Sequence, residues 1–207
     1  KQWDKRLGGT AKDALTALKQ TSDGGYIAGG YSHSGISGDV TQAPKGVCDF
    51  WIVKLSSNGT KQWDKRFGGT YGYAWLYSLD QTQDGGYILG GTVADQGGDI
   101  SNQNIWGGWD NWIIKTDSLG NKQWDEIYGG GWEEDYMFSL YQTPDGGFMF
   151  ASETQSDMGG CVSQPCIGFN CSKDIWVVKL SSTGVITWNK RYGGYDDEYL
   201  TKMIRTN

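Results

Sequence analysis

The 207-residue chain has one histidine, His33, and no stretch of apolar residues near the ~20 that cross a bilayer. His33 is the lone candidate base, and it lies far in sequence from the clustered cysteines of any Cys/His zinc set. No Gly-x-Ser-x-Gly or other nucleophile motif occurs, and no paired C-x-x-C of a zinc ribbon. Positive charge is also scarce. Lys and Arg total 18 against 24 Asp and Glu, for a net charge of −6. Such a chain lacks the cationic field that binds nucleic acid or holds a protein to an anionic membrane. The expectation is no nucleic-acid partner and no membrane insertion. Glycine shows no Gly-X-Y period, and no segment sustains a 3.6-residue hydrophobic period, which excludes collagen and long helices. Lys1 to Arg6 are polar and no initiator Met is present, so the chain reads as a mature product or a piece of a longer one.

What is abundant is glycine and tryptophan, 33 and 11 residues, and both are periodic. Lys-Gln-Trp-Asp begins at Lys1, Lys61 and Lys122, with a degenerate copy, Ile-Thr-Trp-Asn, at Ile186. A Gly-Gly follows each, at Gly8, Gly68, Gly129 and Gly193. Thr-x-Asp-Gly-Gly-aromatic recurs at Thr21, Thr82 and Thr143, and Asp-x-Trp before an apolar pair and Lys at Asp49, Asp110 and Asp174. One unit of about 61 residues is therefore copied a little over three times.

Each unit reads as four strands. The first precedes the Asp-Gly-Gly turn (14–20, 74–81 and 136–142) and the second follows it (26–31, 87–93 and 148–153). A polar loop leads to the third (50–55, 112–115 and 176–180). A Gly turn at Gly59, Gly120 or Gly184 leads to the fourth, whose period-2 alternation is that of a strand. Asp-Gly predicts a type I′ hairpin turn. Four antiparallel strands per repeat, with aromatics to fill the space between sheets, predict an all-β β-propeller, ahead of a solenoid or a sandwich. The predicted boundaries are an outer strand of a preceding blade at 1–9, three complete blades at 10–69, 70–130 and 131–194, and the first strand of a further blade at 195–207. Partial blades at both ends predict a segment of a longer protein, or copies that share one ring or filament.

The combination Trp-x-x-x-aromatic-Gly-Gly, Thr-x-Asp-Gly-Gly-Tyr-Ile and Asp-x-Trp-Ile-Val-Lys-Leu resembles the propeller-type repeats of large secreted and surface bacterial proteins. The resemblance covers nearly the whole chain. It implies an extracellular or cell-surface location and a binding or scaffold role, with no defined reaction.

Candidate sites are few. Gly-Asp-Val/Ile-Thr/Ser in the long loops makes Asp39 and Asp99 the first choices for calcium, which takes several oxygens from one loop. The competing reading is an Asx turn. The third copy places Cys161 there instead. Of the four cysteines, Cys48, Cys161, Cys166 and Cys171, three cluster within one loop. An even count favours an oxidising compartment. A local bridge with the remaining cysteine paired to Cys48 is one arrangement, free thiols another, and spacing does not fix the pairing. The acidic triplets 133–135 and 196–198 read as solvated turns, since neighbours on a strand alternate faces and make poor catalytic pairs. Trp106, Trp109 and Trp132 fall outside the recurring strand positions and are the candidate ligand contacts, weighed against packing of the loops on the sheets. The resulting expectation is a non-catalytic module that binds protein or glycan. The alternatives are a self-assembling structural protein and the non-catalytic part of a secreted enzyme.

Overall fold

The computed structural model describes residues 3–102, 108–131, 133–166 and 171–204. The described residues contain no helix, and twelve strands form three four-stranded antiparallel sheets. Sheet one comprises β1 (Asp13–Gln20), β2 (Tyr26–Ser32), β3 (Asp49–Leu55) and β4 (Lys61–Phe67). Sheet two comprises β5 (Tyr73–Gln81), β6 (Tyr87–Ala94), β7 (Asp110–Thr116) and β8 (Lys122–Tyr128). Sheet three comprises β9 (Asp135–Gln142), β10 (Phe148–Thr154), β11 (Asp174–Leu180) and β12 (Ile186–Tyr192). In each sheet the spatial order is the chain order, as local hairpins dictate.

The hairpins are tight, but they are not type I′. Gly24, Gly85 and Gly146 have φ near +80°, while Cys171 is the one described non-glycine with positive φ. The amide of Gly24 donates to Thr21 O and that of Thr21 to Gly25 O, both at 2.9 Å. This is a type I turn closed by a left-handed glycine in a G1 bulge. The Asp in the motif does a different job. Asp23 Oδ1 accepts from Thr21 Oγ1 and the Gly25 amide, and its carboxylate pairs with Lys54 Nζ at 2.9 Å. Asp84–Lys115 and Asp145–Lys179 repeat the pair, so the turn of one hairpin is tied to the end of the third strand.

Lys-Gln-Trp-Asp is explained by a second buried network. Asp64 accepts from the Trp51 indole at 3.1 Å, from the Thr41 amide at 3.0 Å and from Lys61 at 2.7 Å. In sheet two Asp125 likewise takes Trp112, Ser101 and Lys122. The degenerate third copy replaces Lys by Ile186 and Asp by Asn189, which still accepts from Trp176 at 3.2 Å. Both charges vanish together, so no buried carboxylate is left without its cation.

Sheets pack face to face. Ile27, Phe50, Ile52 and Phe67 of sheet one meet Leu76, Leu79, Trp112 and Ile114 of sheet two. Ile88, Ile113 and Tyr128 meet Met137, Leu140, Phe150 and Trp176 of sheet three. The first strands of the sheets line one cavity of about 660 Å³, with walls from residues 16–19, 77–80 and 138–141 and a fourth wall from 201–204. The sheets do not close into a ring within the chain.

Residues 3–9 and 198–204 form no strand, contrary to expectation, because no neighbouring strand supplies them with a hydrogen-bond ladder. They nevertheless occupy equivalent positions. Trp3 lies edge-on to Tyr26 as Trp63 does to Tyr87 and Trp124 to Phe148, with centroids at 5.6, 5.9 and 5.7 Å. At the other end Ser139 Oγ donates to Met203 O at 3.2 Å, as Ser78 Oγ does to Leu140 O.

Candidate functional site: an aromatic ridge across three sheets

The side chains that precede each Asp-x-Trp strand meet those that open the next sheet. The backbone fixes this meeting. Ala74 N donates to Cys48 O at 2.8 Å, Asp135 N to Trp109 O at 2.6 Å, and Glu198 N to Lys173 O at 2.7 Å. Cys48, Trp109 and Lys173 are equivalent in the repeat, as are Trp75, Tyr136 and Tyr199 that follow the paired amides. The three junctions thus share a geometry and differ in chemistry.

In the middle they build a run of rings. Trp109 stacks on Trp75 with centroids 4.4 Å apart and planes at 21°. Tyr31 stands 6.2 Å from Trp75, Tyr73 6.1 Å from Trp75, and Tyr136 6.2 Å from Trp109. His33 sits edge-on to Tyr31 and Tyr73, its Nδ1 3.1 Å from Val47 O. A lysine closes each end. Lys12 Nζ is 5.9 Å from the Tyr31 centroid, and Lys173 Nζ lies 5.6 and 5.7 Å from Tyr136 and Tyr199. These are cation–π distances. Tyr73 is 39% exposed, whereas Trp75, Trp109, Tyr31 and Tyr136 are half-buried, so the ridge is a set surface and not a fringe of free side chains.

Electrostatics around the ridge are local. Glu134 accepts the Tyr136 hydroxyl at 2.6 Å; burial, followed by this bond and the Glu134 charge, pushes the phenol well above its ordinary range. Lys173 is 3.7 Å from Glu153. Beneath Trp75, burial and the neighbouring Asp49 push the Cys48 thiol up to about 12. A thiol in that state is inert.

Trp109 is therefore part of a built surface, while Trp106 and Trp132 lie outside the described residues. Tyr31, Trp75 and Tyr136 lie in predicted strands, and Tyr73 lies one residue before one, at the start of β5 in the structure. Their signal was divergence between copies: Ala14, Trp75 and Tyr136 are equivalent positions with three different side chains.

Asp39 and Asp99 sit at separate junctions, and each serves as a clamp. Asp39 Oδ2 accepts from Gly8 N at 3.3 Å and Asp99 Oδ2 from Gly68 N at 3.1 Å, while Lys45 pairs with Asp99. Among the described residues the one cluster of three metal-type donors is Asp157, Cys166 and Cys171, and its sulfurs are joined to each other. The loop bridge is Cys166–Cys171, and Cys48 and Cys161 are thiols. A bridge to Cys48 is not formed because Cys48 is buried against Ala74, between sheets one and two. Cys161 packs with the core between sheets two and three and bonds Gly129.

The acidic triplets are not simply solvated turns. Asp135 is fully buried and accepts from Gly130 N and Ser156 Oγ, both at 3.0 Å. Asp13 does the same with Gly9 and Ser34, at 2.7 and 2.9 Å. Sheet two has Ala74 in place of that acid and Asp95 in place of the serine. Asp95 takes the Gly72 amide at 2.6 Å from the loop side. The carboxylate has moved from strand to loop while retaining its role as acceptor for a backbone amide.

No protein-family model matches the chain, and comparison with curated proteins finds no relative.

Proposed function

We propose that the chain is a non-catalytic binding or scaffold module of the β-propeller type, working outside the cell or at its surface. The observation that carries the binding role is the ring run from Tyr31 through Trp75 and Trp109 to Tyr136, which crosses three sheets on one surface. Aromatic side chains held by neighbours offer large contact area with little entropy left to lose. The propeller reading is supported by three meander sheets whose first strands share one cavity. The Cys166–Cys171 bridge fits an oxidising, extracellular-type environment, and no described helix is long and apolar enough to cross a membrane. The test is capture of the purified protein on surfaces coated with extracellular glycoprotein. Trp109→Ala and Tyr73→Ser should abolish capture while leaving the far-UV spectrum unchanged.

A second reading, association between copies, is favoured by the outward face of sheet three. Tyr192 is 53% and Trp188 42% exposed, whereas Phe67, the equivalent of Tyr192, is covered by the next sheet at 6%. Sedimentation over a wide concentration range tests it: a constant monomer mass dismisses it.

A further inference from the structure

Building on the ligand-surface reading above, we propose that the ridge is a subsite for a neutral oligosaccharide. A pyranose has an apolar C–H face and a rim of hydroxyls, so it needs flat rings beneath and polar groups at the sides. The ridge has both. Tyr31, Tyr73, Trp75, Trp109 and Tyr136 are all aromatic, and their neighbours are spaced 4.4 to 6.3 Å apart. Around them stand Lys12, His33, Glu134 and Lys173, which donate and accept hydrogen bonds.

Charge selects within the sugars. The chain carries −6, and the Tyr136 end is flanked by Glu134, which holds the Tyr136 hydroxyl, and by Asp197, which holds the Lys173 amide and the Tyr199 hydroxyl. Sulfated or uronic chains would meet that field unfavourably. Lys173 is held by Glu153 and by two tyrosine faces, which leaves it poorly placed to neutralise an anionic ligand. Glu133 and Glu134 are adjacent in the chain, and Glu134 is hydrogen-bonded to Tyr136, so they do not form the facing pair that cleaves a glycosidic bond.

The decisive experiment has two arms. In the first, cellohexaose, mannohexaose and chitohexaose are titrated against the full chain by calorimetry and tryptophan fluorescence. Saturable binding to at least one is expected, weakened about thirtyfold by Trp109→Ala, weakened also by the more exposed Tyr73→Ser, and unchanged by Trp188→Ala. Near-UV circular dichroism of each variant separates lost binding from lost fold. In the second arm, capture on yeast mannoprotein is compared before and after periodate, which cleaves vicinal diols and spares the polypeptide. Loss on periodate treatment supports the glycan. Ridge-dependent capture that survives periodate, with no hexasaccharide bound, overturns the glycan and leaves the ligand surface standing. Capture that folded Trp109→Ala and Tyr73→Ser both leave unchanged overturns the ligand surface as well.

Discussion

Trp109 lies nearly parallel over Trp75, 4.4 Å between centroids, although the two belong to different parts of sheet two: one precedes its third strand, the other opens its first. The stack therefore braces the sheet's end as well as presenting a surface. A double-mutant cycle of Trp75→Ala and Trp109→Ala, read by urea unfolding, should give a coupling of about 1 kcal/mol. Strict additivity would show that the rings merely coexist.

Asp64 gathers an indole, an amide, a hydroxyl and an ammonium. Asp64→Ala should cost about 3 kcal/mol by stranding Trp51 and Lys61 in a buried site. The double change Lys61→Ile with Asp64→Asn copies the pairing found at Ile186 and Asn189. It should cost clearly less than the two single changes combined, as measured by thermal and urea melts.

Burial pushes Asp135 up to about 6 from an ordinary 3.8, against the hydrogen bonds it accepts from Gly130 and Ser156 and the charge of Arg191. Between about pH 4 and 6 the unfolded chain has released this proton and the folded chain still holds it. Stability should therefore fall as pH rises through that window, by about 3 kcal/mol, and stay lower above it. Asp135→Asn should flatten this slope. Asp84 has the opposite sign. Burial raises it, but hydrogen bonds from Lys115, Thr82 and Gly86 outweigh that and hold it at about 2. Its contribution is present above about pH 4 and is lost as pH falls through 2. Melting curves of wild type, Asp135→Asn and Asp84→Asn across pH 2 to 8 check both signs.

A methyl group on Gly68 would lie 1.9 Å from Asp49 Oδ1, a carboxylate locked by Arg66 in the core. Gly68→Ala should cost about 3 kcal/mol. At Gly85 nothing lies within 4 Å and only the φ of +82° resists, so Gly85→Ala should cost about 1 kcal/mol. Equal losses in urea titrations would contradict the crowding argument.

Cys166 and Cys171 close a loop of sequence separation 5, which confines the effect of reduction. Reduction should lower stability by about 2 kcal/mol at most and leave the sheets intact. Alkylation followed by mass spectrometry should label these two sulfurs in reduced native protein and spare buried Cys48 until unfolding.

The strands were legible because period 2 and the repeat reinforce each other: Tyr26, Tyr87 and Phe148 each begin a second strand as expected. The turn type was not, because Asp-Gly fits two geometries and the choice depends on Thr21 closing onto Gly25. The ridge was legible only at Trp109. Tyr31 and Trp75 alternate correctly for a strand, and period 2 does not say that three sheets will bring them together. Asp39 and Asp99 accept from the amides of Gly8 and Gly68, and a local sequence of this kind does not separate a backbone clamp from an ion ligand.

Trp3, Trp63 and Trp124 each rest on the aromatic that opens the second strand of the following sheet. The unit that repeats in sequence is thus out of phase with the unit that is sealed from water. A fragment cut at sheet boundaries, such as 13–67, would strip Tyr26 of its cover and leave Trp63 with nothing to cover. Excision would damage both edges at once, so these sheets behave as overlapping tiles and not as beads on a string.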